Sequence, residues 1–291
     1  MTTTTSGRRW RTRLGPLAGV LPFALLVIFF LVVPTLVVVV GSFLDASNAP
    51  TLGNVTALGE SIIRDAYVRS VVISGVTALL GAIFGALLAY AVATANPNGA
   101  LRRVVTAACG VLAQFGGVML AFAFIATVGF QGLLTVIFRD RFGIDIYGSG
   151  WLFATPGLIL VYAYFQIPLM VIVFLPALDG LRPQWREAAE TLGGSAWDYW
   201  RRVAGPILRP SFLGCTLLLF ANAFSAYATA KALISQGSPI VPLKIDDAIN
   251  GEVIQGVQNL GKSMALGMVV VVAVVMWLYA RLQKRTGKWL R

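Results

Sequence analysis

The chain contains no histidine. Acid–base catalysis by imidazole and histidine-ligated metal sites are therefore excluded. Only two cysteines occur, Cys109 and Cys215. Both sit inside apolar runs, where a small packing role is a simpler reading than a disulfide or a metal pair. Charge is also scarce: 12% of the 291 residues are charged, against roughly a quarter in soluble domains. What is present instead is hydrophobic, 57% of the chain, with a mean hydropathy of +0.79. That composition belongs in a bilayer. The few charges sum to +11, which in a soluble protein would suggest nucleic acid. Their distribution along the chain decides otherwise.

A membrane-crossing helix needs about 20 mostly apolar residues. Six stretches qualify, roughly 17–43, 66–93, 104–128, 152–177, 211–235 and 261–282. The first follows a basic leader (1–16) containing Arg8, Arg9, Arg11 and Arg13. A cleaved signal peptide would have an apolar core of about 7–15 residues, and Leu17–Val40 is far longer. With the amino terminus in the cytoplasm, the leader, 94–103, 178–210 and the basic tail 283–291 all fall on that side. They and their borders hold most of the 23 Lys and Arg. Of the 12 acids, only Asp179, Glu187, Glu190 and Asp198 fall there. This is the positive-inside pattern, so the charge is topological and no nucleic-acid partner is expected. The outer loops, about 44–65, 129–151 and 236–260, are too short for an independent domain. The expected fold is therefore all-α and integral to the membrane: one domain over 17–282 with both termini cytoplasmic. Gly81 and Gly85, with Gly75 and Ala89 nearby, let span two approach a neighbouring helix closely.

The cytoplasmic insert, 178–210, predicts two short helices. Pro183 suits a first helical position, and Gly193 supplies the left-handed stop that helix ends favour. Ser195 with Asp198 three residues on forms a capping-box pattern, opening a second helix that ends at Gly205-Pro206. Ala188 and Ala189 beside Glu187 leave a flat surface that another protein can approach. Trp185, Trp197, Tyr199 and Trp200 offer aromatic anchors of the kind interfaces use. An amphipathic hairpin lying on the inner leaflet uses the same residues, and physics alone leaves the two readings level.

The segment resembles the EAA loop of permease subunits of binding-protein-dependent ABC importers. Their pattern is EAA, three residues, Gly, nine residues, Ile, any residue, Leu-Pro. Glu187, Ala188, Ala189 and Gly193 match at the same spacing, Val203 stands for Ile, and Pro206 matches, while Gly205 departs from Leu. Six spans with the insert between the fourth and fifth is similar to the type I (MetI-like) permease architecture. The run from Gln166 through Leu178 and Asp179 is similar to the polyamine/sulfate-type subgroup. The resemblance implies that the insert couples the pathway to two cytoplasmic ATPase subunits. It implies a second, different permease subunit and an external substrate-binding protein, in a bacterial cytoplasmic membrane. It further implies that this chain binds no cofactor and catalyses nothing, ATP and magnesium being held by the ATPase partners.

Polar residues inside spans are costly and often functional. Gln114, Tyr162, Gln166, Asn222, Ser225, Thr229 and Lys231 are such residues here, and Gln166, Asn222, Ser225, Thr229 and Lys231 are the candidate pathway residues. Asn222, Ser225 and Thr229 share one helical face, with Tyr227 and Lys231 nearly opposite, and both faces cannot line the same narrow path. Lys231 lies about a turn from the outer end of span five and can either line the path or reach the interface. A polyamine-like cation fits the subgroup resemblance; Lys231 on the path would favour a sulfate- or phosphonate-like anion. Gly256–Ser263 satisfies the pattern GxxxxGK[ST], but a phosphate-cradling loop needs a preceding strand within a soluble domain, and this one opens span six on the outer side. An ion- or proton-coupled secondary transporter is the alternative, and would typically show carboxylates in mid-span. None of the 12 acids lies centrally in a span.

Overall fold

The computed structural model describes residues 20–45, 47–96, 98–148, 150–234, 240–250 and 258–286. The basic leader, Gly256 and the end of the tail lie outside the described residues. Among the described residues there is no strand, only an isolated bridge between Leu44 and Pro50. The longer helices are α1 (Val20–Ser42), α2 (Ser61–Thr94), α3 (Ala100–Gln114), α4 (Gly117–Val128), α5 (Leu133–Phe142), α6 (Thr155–Asp179), α7 (Pro183–Thr191), α8 (Ala196–Phe224), α9 (Ala228–Leu233), α10 (Val241–Asn250) and α11 (Gln258–Thr286). Among the described residues, six helical stretches are long and apolar enough to cross a membrane.

Two expectations about the spans need correction. The third was expected to run unbroken over 104–128, yet the helix stops at Gln114 and restarts at Gly117. Gly116 is extended and Gly117 sits at φ +71°, a backbone state that glycine adopts without strain. The long apolar element is thus α4 with α5, Gly117–Phe142. The fifth span was expected over 211–235, entered after a helix end at Gly205-Pro206. Instead α8 runs unbroken from the insert to Phe224, and the chain breaks at Ser225–Tyr227 before α9.

The continuity of α8 through Pro206 has a local cause. Trp200–Ala204 form a π-turn, in which the Gly205 N–H bonds to the Trp200 carbonyl. A proline ring in a regular helix clashes with the carbonyl four residues earlier. One extra residue in the preceding turn moves that carbonyl away. The same device precedes Pro34 in α1, where Ile28–Val32 form a π-turn closed by the Val33 N–H on the Ile28 carbonyl.

The packing spine is α2 against α6. A Cβ on Gly81 would lie 2.7 Å from the Gln166 Cβ, and one on Gly85 would lie 2.7 Å from the Ile167 carbonyl oxygen. The close approach expected from these glycines is therefore made to a helix of the same chain, whereas Gly75 faces open space. Ala78, Ala82, Ala89, Met170, Phe174 and Leu219 fill the core toward the insert end, and Leu120, Leu158, Val161, Phe165 and Leu233 the core toward the opposite end. Cys109 and Cys215 are buried free thiols in the insert-end core. The outward faces of α1, α2 and α11 carry exposed Phe, Leu, Ile and Val, as a lipid-facing or subunit-facing surface does.

Candidate functional site: the insert and the cavity between broken helices

α7 begins at Pro183 with the preceding Arg182 extended. Its end is a complete Schellman motif: the Gly194 N–H donates to the Ala189 carbonyl and the Gly193 N–H to the Glu190 carbonyl, each at 2.9 Å. Gly193 takes φ +77°, as the sequence led one to expect. The capping box is also present. The Ser195 hydroxyl accepts from the Asp198 N–H, and the Asp198 carboxylate accepts from the Ser195 N–H. Two motifs thus fix a sharp turn between α7 and α8 within four residues, and that turn presents Glu187 and Ala188 to the outside, with Ala189 half-buried.

The aromatic residues of the insert divide into two sets. Trp197 is 72% exposed and Leu192 88%, an apolar pair facing away from the spans. Tyr199 is buried, and Trp200 is half-buried and meets the Tyr90 ring edge-on at 5.3 Å. Trp185 is half-buried beneath the Arg182 guanidinium, which lies 6.0 Å from its ring. Only Trp197 therefore stands as an outward aromatic anchor, because the π-turn rotates Trp200 onto α2. Val203 is half-buried and Ala204 fully buried. The departure at Gly205 also acquires a reason: a Cβ there would stand 2.5 Å from the Trp200 carbonyl oxygen, so this turn, unlike the one closed by Val33, has no room for Leu. Arg102 bonds Asp179 at 2.6 Å, tying the start of α3 to the end of α6 beside the insert.

At mid-chain the two helix breaks face each other. They enclose a cavity of about 250 Å³ lined by Ala113, Gly116, Gly117, Phe165, Asn222, Ser225, Ala226, Tyr227, Ala228 and Thr229. Side-chain hydroxyls brace its walls. Thr229 Oγ1 donates to the Gly117 carbonyl at 3.1 Å, the Tyr162 hydroxyl to the Ala226 carbonyl at 2.7 Å, and Ser225 Oγ to the Ala221 carbonyl at 2.8 Å. Asn222, Ser225 and Thr229 come together in its wall, but across the break and not along the one helical face expected. Tyr227, expected on the opposite face, joins them because the break turns the chain between Phe224 and Ala228. Gln166 does not line this cavity. It is fully buried, donates from Nε2 to the Leu219 carbonyl at 2.7 Å, and packs against Gly81. Gln114 ends α3 at the first break, where Ala113 takes the lining position.

Lys231 does not line this cavity. Its Nζ pairs with Asp246 of α10, which also accepts from Asn250 Nδ2 at 2.8 Å. The ammonium and that amide hold the Asp246 carboxyl below its ordinary range. The described part of the GxxxxGK[ST] match is occupied by packing. Gly261 abuts Ile249 and Ala248, Lys262 lies along Gly41 and donates to Asn259 Oδ1 at 2.8 Å, and the buried Ser263 donates to the Ser42 carbonyl at 3.1 Å. The last described residues before it form α10, a helix and not a strand. Sequence reasoning missed Phe165, Gly116, Gly117 and Asp246. The Gly-Gly pair inside an apolar run was the available signal for a break; Asp246 left none, being on another helix.

Comparison with known proteins adds to this geometry. Residues 81–288 match the family described as binding-protein-dependent transport system inner membrane component. The sulfate transport system permease protein CysW of Synechocystis sp. is 26% identical over 271 residues, covering 90% of this chain and 92% of that protein. The spermidine/putrescine transport system permease protein PotB of Haemophilus influenzae is 24% identical over 264 residues, covering 88% and 90%. Among solved structures, a chain of a bacterial alginate ABC transporter, in complex with an alginate-bound periplasmic protein, superposes with a TM-score of 0.77 at 15% identity. That match covers 97% of this chain and 98% of that one.

Proposed function

The chain belongs to the family of binding-protein-dependent transport system inner membrane components, the permease subunits of ABC importers, and on that premise we propose how its parts share the work. The insert, α7 with the start of α8, is the element that two cytoplasmic ATPase subunits engage, through Glu187, Ala188, Ala189 and the exposed Leu192 and Trp197. Both termini are cytoplasmic with it. A second, different permease completes the pathway, and an external binding protein delivers the solute. ATP and magnesium belong to the ATPase subunits; this chain contributes no catalytic group.

One observation carries the proposal: the insert is not a loose loop but the first part of a rod. α8 spans Ala196–Phe224, 29 residues, roughly 44 Å at 1.5 Å per residue. It begins in a Schellman turn and a capping box and ends at the cavity lined by Asn222, Ser225 and Thr229. A displacement applied at the turn is therefore carried to the cavity wall. An ATPase cycle needs only to favour one of two arrangements of this rod over the other. The lining side chains are uncharged, and Lys231 is neutralised by Asp246. Such a cavity suits a small polar solute, polyamine-like or sulfate- or phosphonate-like, whose selection the external binding protein largely makes.

The test is made on the assembled transporter. Gly193→Val forces a β-branched residue into the left-handed region, and Glu187→Lys reverses charge on the proposed contact. Each should abolish the stimulation of ATP hydrolysis by solute-loaded binding protein while the permease still reaches the membrane. Full stimulation in both variants would remove the insert from the coupling role.

A further inference from the structure

The insert end holds a second cavity, of about 330 Å³, where the last turns of α2 and α6 meet α7 and the start of α8. Ala93 and Leu178 give it an apolar floor, and the Tyr90 and Trp200 rings stand at its side. Among the described residues that line it, the charged ones are Arg182 and Arg186. Arg186 engages Glu190 through Nε at 2.9 Å, which leaves its terminal N–H groups available. Arg182 meets Trp185 through its guanidinium, leaving its in-plane donors unused by that contact. With Glu190 set against one arginine, one positive charge at the rim remains uncompensated.

A second feature begins where this cavity ends. Leu79, Ile83, Leu87 and Tyr90 recur along one side of α2 and are all exposed. They make an apolar track that runs from the cavity toward the middle of the span. A basic, aromatic rim at a span end, joined to an apolar track along the same helix, is complementary to an amphiphile with an anionic head. Soluble phosphate would use the rim and leave the track bare. A helix of another subunit would cover the track and leave the rim charge unmatched.

We propose that this cavity binds the phosphate headgroup of an anionic phospholipid, with an acyl chain lying along the α2 track. Such a lipid touches α2, α6 and the insert together, and would steady the insert against the spans. The inference requires that α2 crosses a bilayer; it does not depend on which side the insert faces, on the solute or on the ATPase contact, so it can fail while the coupling role stands.

Trp200 lines the cavity and provides the probe. The full chain is reconstituted in phosphatidylcholine vesicles containing a minor fraction of either brominated phosphatidylglycerol or brominated phosphatidylcholine. The part of the tryptophan fluorescence lost in Trp200→Phe reports the site. Quenching of that part should be about fivefold more effective with the anionic lipid, as one unmatched basic residue at a membrane surface supports. Arg182→Gln combined with Arg186→Gln should erase this preference yet retain quenching by the neutral lipid, which shows that the fold is kept. Equal quenching by both lipids in the unmodified chain would overturn the proposal, as would quenching by neither. Loss of the preference on adding millimolar inorganic phosphate at constant ionic strength would assign the rim to a soluble anion and equally refute it.

Discussion

Replacing Gly205 sets the sequence pattern of the family against the structure of this chain. The pattern carries Leu at that position, so by pattern alone Gly205→Leu is a restoration and should be harmless. The structure predicts damage. A Cβ at residue 205 would lie 2.5 Å from the Trp200 carbonyl oxygen, and real Cβ atoms essentially never come closer than 3.0 Å to such a group. The π-turn would have to open by about half an ångström or revert to a regular α-helical turn. Reversion removes one residue from the turn and rotates everything before it by about 100°, carrying Trp200 off Tyr90. Backbone strain of this kind costs about 1–3 kcal/mol, or a 5- to 150-fold loss in the population of the native arrangement at about 1.36 kcal/mol per tenfold. Gly205→Ala should show the effect already, because the Cβ alone makes the clash. In the assembled transporter both variants should lose most of the stimulation of ATP hydrolysis by loaded binding protein, and the isolated chain should unfold at a lower temperature. Native unfolding and full stimulation in both would refute the claim that the π-turn joins insert to span.

Packing of α2 on α6 predicts that Gly85→Val costs about 1–3 kcal/mol as overpacking, whereas Gly75→Val, facing open space, leaves thermal unfolding nearly unchanged; equal behaviour of the two would contradict the spine. The pair of Lys231 and Asp246 predicts a particular pH dependence. Because the Asp246 carboxyl is held below its ordinary range, its contribution is fully present above about 3.9, the usual aspartate value, and is lost as pH falls through the lower folded value. Thermal unfolding from pH 5 to 8 should show no dependence traceable to this pair. Asp246→Asn should remove its share of the acid-side loss, and an Asp246-dependent change near neutrality would refute the pairing. Lys262→Ala should leave ATP hydrolysis by the assembled transporter within about twofold, a barrier change of roughly 0.4 kcal/mol, since Lys262 packs on Gly41; loss of nucleotide binding by the purified chain would overturn that assignment.

What was legible in the sequence is what depends on near neighbours along the chain. The turn at Gly193 and the capping box of Ser195 with Asp198 are set within a few residues, and both occur as read. The six long apolar stretches follow from composition. Interruptions inside an apolar run were harder, since hydropathy averages over the two residues that matter: Gly116-Gly117 ends a helix without making the window less apolar. The same blindness hid the break at Ser225–Tyr227, and with it the placement of Tyr227 beside Asn222. Continuity at Pro206 was misread for the opposite reason. Gly-Pro is a strong stop signal in isolation, and only the extra residue in the turn before it lets the helix pass. Partners brought together by the fold, Gln166 with Leu219 or Lys231 with Asp246, have no local signature at all.

The two helix breaks have a consequence for how this subunit can be studied. Its spans carry little ionisable chemistry, and half of the residues lining the cavity, Ala113, Gly116, Gly117, Ala226 and Ala228, present backbone and at most a methyl group. Side-chain replacement barely alters a surface of that kind. An alanine scan would pass over Ala113, Ala226 and Ala228 without changing them, and at Gly117, which lies at φ +71°, it would report backbone strain and not a role in the wall. Mutational maps of this permease will therefore report Asn222, Ser225, Tyr227 and Thr229 and stay silent over the rest of the wall. Amide-to-ester substitution, which deletes a single backbone N–H and weakens one carbonyl, is the perturbation matched to it.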